Sequence, residues 1–143
     1  MIVLDTNVVS EIMKPAPSEQ VVHWLASQES SSVFTTVITQ AEILYGIEVL
    51  PPGRRRQSLS DVVEDTFRLD FERRILSFDE ESGRRYARIR AGRKATGRPI
   101  AQFDAMIAAI ASVHRAAIAT RNTADFERCG IRLINPWTTT DVH

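Results

Sequence analysis

At 143 residues, with 43% hydrophobic and 25% charged side chains, the chain is long enough to bury a core without staples and has the balance of an ordinary soluble globular protein. Lys plus Arg number 18 and Asp plus Glu number 18, which excludes a strongly basic or strongly acidic protein as a whole. One cysteine, Cys129, excludes an internal disulfide and fits a reducing, cytoplasmic setting; no run is long enough to span a membrane or to serve as a signal peptide.

Ile2-Val3-Leu4 predicts a short strand buried on both faces, and it stops on Asp5-Thr6-Asn7. An acid there has no packing reason to follow the strand. It has a functional one, because open parallel sheets bind ligands at the carboxyl ends of their strands. Val8 to Met13 continues as a short helix that Pro15 and Pro17 end. Ser18 is the expected N-cap of a helix over Glu19 to Glu29, with Val21, Val22, Trp24, Leu25 and Ala26 on its apolar side. His23 lies in that helix with no second histidine at ligand spacing, and reads as surface or packing. Ser32 to Val37 is the second strand. Thr39 is expected to open the next helix, with Thr39-x-x-Glu42 as a capping box, and the helix runs to about Leu50 before Pro51-Pro52-Gly53.

Arg54-Arg55-Arg56 reads as loop, with a further helix from Ser58 or Ser60 to about Leu69. Ile75 to Phe78 is a third strand, placed at the sheet's edge, and Asp79 after it reads as a helix cap. A long helix follows from about Glu80 to Ala95, closed by Gly97 and Pro99. Phe103 to Val113 is the most apolar helix and carries Asp104 in its first turn. Ala117 to Ala119 is a fourth strand, followed by Thr120, Arg121, Asn122 and Asp125; Ile131 to Ile134 is a fifth. Order is expected to end at Trp137, leaving residues 138–143 as a flexible tail after a single domain over residues 1–137. Strands alternating with helices at this spacing predict an α/β fold with a central parallel sheet.

Four positions then line up. Asp5 follows strand one, Glu42 lies on the helix after strand two, and Asn122 and Asp125 follow strand four. Asp104 joins them because a crossover helix runs antiparallel to the strands, so its first turn lies beside their carboxyl ends. Each acid also has a reading without chemistry: Asp5 as a cap, Glu42 as half of a capping box, Asp104 as an acid favoured by the helix dipole, Asp125 as a turn residue. Taken jointly they repel. Two unit charges about 4 Å apart cost roughly 4 kcal/mol at an effective dielectric of 20. Either protons are taken up or a hard cation sits among them. Mg²⁺ suits oxygen donors and Mn²⁺ tolerates the same set, whereas no Cys/His cluster invites zinc. Such an ion acidifies water and stabilises charge building on a phosphoryl oxygen, so the reaction class is phosphoester hydrolysis.

At these residues the chain resembles a known family. Val3-Leu4-Asp5-Thr6-Asn7-Val8-Val9-Ser10-Glu11, Thr39-Gln40-Ala41-Glu42-Ile43 with Gly46, Ile100 to Ala109 around Asp104, Ala119 to Phe126, and Asn135-Pro136-Trp137 together resemble the PIN-domain ribonucleases. The likeness is to the VapC-type toxins of bacterial toxin–antitoxin pairs, in their FitB-like branch. It implies a three-layer α/β/α PIN fold with strand order 3-2-1-4-5 and Mg²⁺- or Mn²⁺-dependent cleavage of RNA. It implies Asp5 and Asp104 as principal metal ligands, Glu42 as the acid that helps hold metal or orient water, and Thr120 as the small hydroxyl residue beside the site. Some members carry Asp where this chain has Asn122, and here Asp125 stands in for the fourth carboxylate. A cognate antitoxin and a homodimer are further implications.

The charge is unevenly spread. Arg54 to Arg98 holds 13 basic and 8 acidic residues, a local +5, against −5 for the remainder. Within it Arg84, Arg85, Arg88, Arg90, Arg93, Lys94 and Arg98 form a candidate RNA phosphate track, with Tyr86 as a base-stacking candidate. The plain alternative is a solvated helix face. Competing functions are a phosphatase or phosphotransferase with Asp5 as nucleophile, a receiver-like module, and an inactive PIN scaffold. Asn7 stands where the first of these usually has a second Asp, and Arg121 where the second would want Lys.

Overall fold

A computed structural model describes residues 1–138. Its sheet has five parallel strands in the order β3-β2-β1-β4-β5. They are β1 (Ile2–Leu4), β2 (Val33–Thr36), β3 (Ile75–Leu76), β4 (Ala117–Ala119) and β5 (Leu133–Ile134). β1 is central because it pairs on both sides, Ile2 with Val33 and with Ala117. Strand side chains alternate between faces, and the two cores show it. Ile2 and Leu4 pack with Val8, Val9, Val21 and Trp24 on one face; Val3 packs with Ile107, Ala111, Ile118 and Phe126 on the other. Leu4 and Ile118 are wholly buried, each contributing about 2 kcal/mol of apolar burial.

The first face is covered by α1 (Thr6–Ile12), α2 (Glu19–Ala26), α3 (Val37–Glu48) and α4 (Arg54–Asp65). The second is covered by α6 (Gln102–Val113), against which α5 (Glu80–Ala95) packs. No helix among the described residues is long and apolar enough to cross a membrane.

The strand order, the parallel sense and the edge place of β3 agree with the sequence expectation. Several local readings change, and β3 and β5 each keep only two of the four residues expected of them. α4 begins at Arg54, so Arg54-Arg55-Arg56 is a first helical turn and not a loop; Gly53, at φ 150°, makes the bend before it. α2 stops at Ala26, short of the expected end. α3 is capped by the Thr36 hydroxyl, which accepts from the Thr39 backbone N–H at 3.1 Å. Thr39 therefore lies inside the helix, and no Thr39–Glu42 capping box forms. Thr138 donates its backbone N–H to the Asn135 carbonyl at 3.2 Å, and the rest of the expected tail lies outside the described residues.

Asp79 behaves as expected of a cap. It is exposed, its carboxylate accepts from the Ser82 backbone N–H at 2.9 Å, and that bond holds it below the usual carboxylate range. Asp79→Ala will lower Tm by a few degrees and leave any catalytic rate unchanged. Thermal melts and rate measurements on the same preparation check both halves.

Candidate active site

The carboxyl ends of β1, β2 and β4 face one edge, and the candidate acids arrive there by different routes. Asp5 ends β1 and is also the N-cap of α1: its Oδ1 accepts from the Val8 N–H at 3.0 Å. Its backbone N–H is tied to the Ala119 carbonyl of β4 at 3.1 Å. The cap reading of this acid therefore holds, at a place that also puts it on the carboxyl edge of the sheet. The residue is 5% exposed. That burial pushes its carboxyl above the usual range, against donation by the Thr120 side chain and the Val8 and Asn7 N–H groups.

Glu42 faces the site from the second turn of α3. Its Oε1 accepts from the Thr6 hydroxyl at 2.7 Å, and that hydroxyl lies 3.1 Å from the Thr39 hydroxyl. The sequence reading missed Thr6. The signal was present: a hydroxyl directly after Asp5, with Thr39 and Glu42 one helical turn apart, is a set that can meet only if α1 and α3 are neighbours. They are.

Asp104 sits in the first turn of α6 and is the most perturbed acid. Its carboxyl is pushed up to about 6, first by partial burial and then by the charges of Asp125, Asp5 and Glu42, with Arg93 opposing. The other three acids thus all act on this one group. Thr120 is fully buried, and its Oγ1 accepts from the Asn122 N–H at 3.1 Å. Asn122 caps a short 3-10 turn, Thr123–Phe126, that carries Asp125. Asn122 is exposed and uncharged, while the exposed Asp125 supplies the largest charge acting on Asp104.

A hard cation suits this set by donor chemistry, since every side-chain donor is oxygen and the mutual repulsion is what a cation relieves. Among the described residues no three acid, His or Cys side chains already stand as a cage for an ion. Magnesium does not need one. It binds through one or two carboxylates and keeps several waters.

The basic track is reduced by the structure. Arg93 is buried, and its guanidinium faces inward: Nε donates to the Arg98 carbonyl at 2.7 Å, and Nη1 to the Asp125 and Glu127 carbonyls at 2.9 and 3.0 Å. It is not part of an exposed RNA-facing surface, because it is buried with Nε and Nη1 bonded to backbone. Arg84 pairs with Glu80 and Glu81, and Arg85 with Glu81 and the Ser112 hydroxyl. Tyr86 meets Phe78 edge-on at 5.9 Å and lies under Arg90. Arg88 and Lys94 are exposed.

Comparison with known proteins agrees with this geometry. A family model described as the PIN domain matches residues 2–131. A protein named Toxin FitB, from Neisseria gonorrhoeae, is 41% identical over 137 residues, covering 96% of this chain and 99% of its own length. VapC ribonuclease Y4jK of Sinorhizobium fredii is 39% identical over 137 residues, covering 96% and 98%. A solved FitAB complex bound to an IR36 DNA fragment contains a chain of 40% identity, with a TM-score of 0.91 and full coverage of both chains.

Proposed function

The chain belongs to the PIN-domain family, and we propose that it is a metal-dependent endoribonuclease, the toxin of a toxin–antitoxin pair, acting in the cytoplasm. The observation that carries this reading is the convergence on Asp104 of charge from Asp5, Glu42 and Asp125 at the carboxyl edge of the sheet. The nuclease unit spans residues 1–137 and works as a homodimer restrained by a cognate antitoxin, in keeping with the FitAB complex that this chain resembles.

Asp5 and Asp104 would hold Mg²⁺ or Mn²⁺, with Glu42 and Asp125 beside them. The ion supplies charge stabilisation at the scissile phosphoryl oxygens and an acidified water. The chain's own residues set the stage. Thr6 fixes the Glu42 carboxylate by donating to Oε1, and Thr120 donates toward Asp5, so neither acid is free to turn away. Arg88 and Lys94 are the exposed cations of α5 that remain to meet RNA phosphates. The phosphotransferase alternative is disfavoured, since Asn7 stands where such enzymes usually carry a second Asp.

The protein will cleave RNA in the presence of Mg²⁺ or Mn²⁺, stop when a chelator is added, and resume when the metal is restored in excess. Gel assays on labelled RNA read this directly. Cleavage that persists at full rate in chelator would overturn the metal assignment.

A further inference from the structure

Beside the acids, on the same edge of the sheet, lies a second cleft of about 270 Å³ lined by Asn7, Ser10, Glu11, Lys14, Arg121 and Trp137. One wall is a single face of α1, Asn7, Ser10 and Glu11, continued by Lys14 just past its end. The other wall is the chain just past β4 and β5. The cleft adjoins the reaction centre by covalent connection: Asn7 is two residues from Asp5, and Arg121 follows Thr120. We propose that it is a nucleotide subsite, in which a base of the RNA next to the cleaved bond stacks on an Arg121–Trp137 platform and its phosphate meets Arg121.

The platform is already assembled. The Arg121 guanidinium lies over the Trp137 ring, 5.0 Å from its centroid. A single side chain ties both halves: Asn135 Oδ1 accepts from the Trp137 N–H at 2.9 Å, and Asn135 Nδ2 donates to the Arg121 carbonyl at 3.3 Å. Stacking on a guanidinium or an aromatic ring is how proteins hold unpaired RNA bases, and a platform fixed beforehand loses little entropy on binding. The charge in the cleft is also suitable. Glu11 would repel a phosphate if it were free, but its two oxygens accept from Lys14 Nζ and from the Ser18 N–H, each at 2.9 Å. Lys14 is spent on Glu11, so the exposed Arg121 is the cation left over at the mouth of the cleft. Its volume lies near the roughly 300 Å³ at which small-ligand pockets begin, which suits one nucleotide and not a helix.

This inference rests on the nuclease reading. The test uses short fluorescent RNA bound to the cleavage-deficient Asp104→Asn protein, with an abasic ribose placed at each position in turn. One abasic position, next to the bond that the parent protein cuts, is expected to weaken binding roughly fivefold to a hundredfold. Trp137→Ala should weaken intact RNA by a similar factor and erase the sensitivity to that position. Arg121→Lys keeps the charge but not the planar group, and should also lose the sensitivity; Trp137→Phe should keep it. If no abasic position matters, or if Trp137→Ala and Arg121→Lys leave the abasic penalty intact, the subsite is wrong and the platform only covers the sheet edge or meets a protein partner. Parent cleavage is followed in parallel. A protein that cuts RNA without any abasic effect refutes the subsite alone, whereas one that never cuts RNA removes the nuclease reading as well.

Discussion

Asp104→Asn will reduce RNA cleavage by at least about a hundredfold, the scale seen when a pre-arranged electrostatic group is lost from a site, and will also make the metal-free protein harder to unfold at neutral pH. The two effects have one source. Folding raises the Asp104 carboxyl from 3.8 to about 6, mainly by burial and then by the other three acids. A raised acid means that the folded state holds the proton more tightly than the unfolded chain. Stability contributed by this group is therefore complete below about pH 4 and is lost as pH rises through about 6. A shift of that size corresponds to about 3 kcal/mol at most, and screening at a half-buried position reduces it to about 1 kcal/mol. Urea titrations at pH 5 and pH 7 measure this. The parent protein should lose stability between the two values, and Asp104→Asn should lose less. Mg²⁺ should restore the parent at pH 7 and do little for the variant. A variant that is inactive but also destabilised at pH 7 would mean that Asp104 serves packing and not charge.

The second large effect is expected at Arg93→Ala. The guanidinium is buried against three backbone carbonyls, those of Arg98, Asp125 and Glu127. Deleting it removes three part-buried hydrogen bonds from a charged donor, at a cost of about 2–4 kcal/mol. Two of those carbonyls belong to the segment that carries and follows Asp125, so the acid should lose its fixed place as well. Arg93 also opposes the upward shift of Asp104. Its loss should raise that carboxyl further and move the rise of activity to higher pH. Arg93→Lys separates the two roles, since an ammonium keeps the charge but cannot reach three carbonyls with the geometry of a guanidinium. It should recover the pH profile better than the stability. Equilibrium unfolding and a pH–rate profile on both variants decide the matter.

Much of this site was legible because its members stand at punctuation points of a simple pattern. Asp5 interrupts an apolar run, and Asp104 opens the most apolar helix, so crossover geometry alone brings them to one edge. Other features were hidden for stated reasons. The cap of α3 at Thr36 and not Thr39 is a choice between two threonines three residues apart, and only the end of β2 decides it. The first turn of α4 was masked by three arginines, whose helix propensity is good but whose charge density reads as loop. Arg93 looked like its exposed neighbours because local sequence does not say which cation of a basic helix will meet stray carbonyls from a turn more than thirty residues away.

The double use of Asp5 has a consequence for genetic work. The same carboxylate starts α1 and belongs to the acidic group. Substitutions at codon 5 will give products of two kinds: misfolded polypeptide cleared by proteases, and intact polypeptide that is chemically silent. Only asparagine, which begins a helix as well as aspartate does, belongs to the second kind by design. It is the allele to choose when a harmless but correctly shaped bait is wanted for capturing whatever this protein binds.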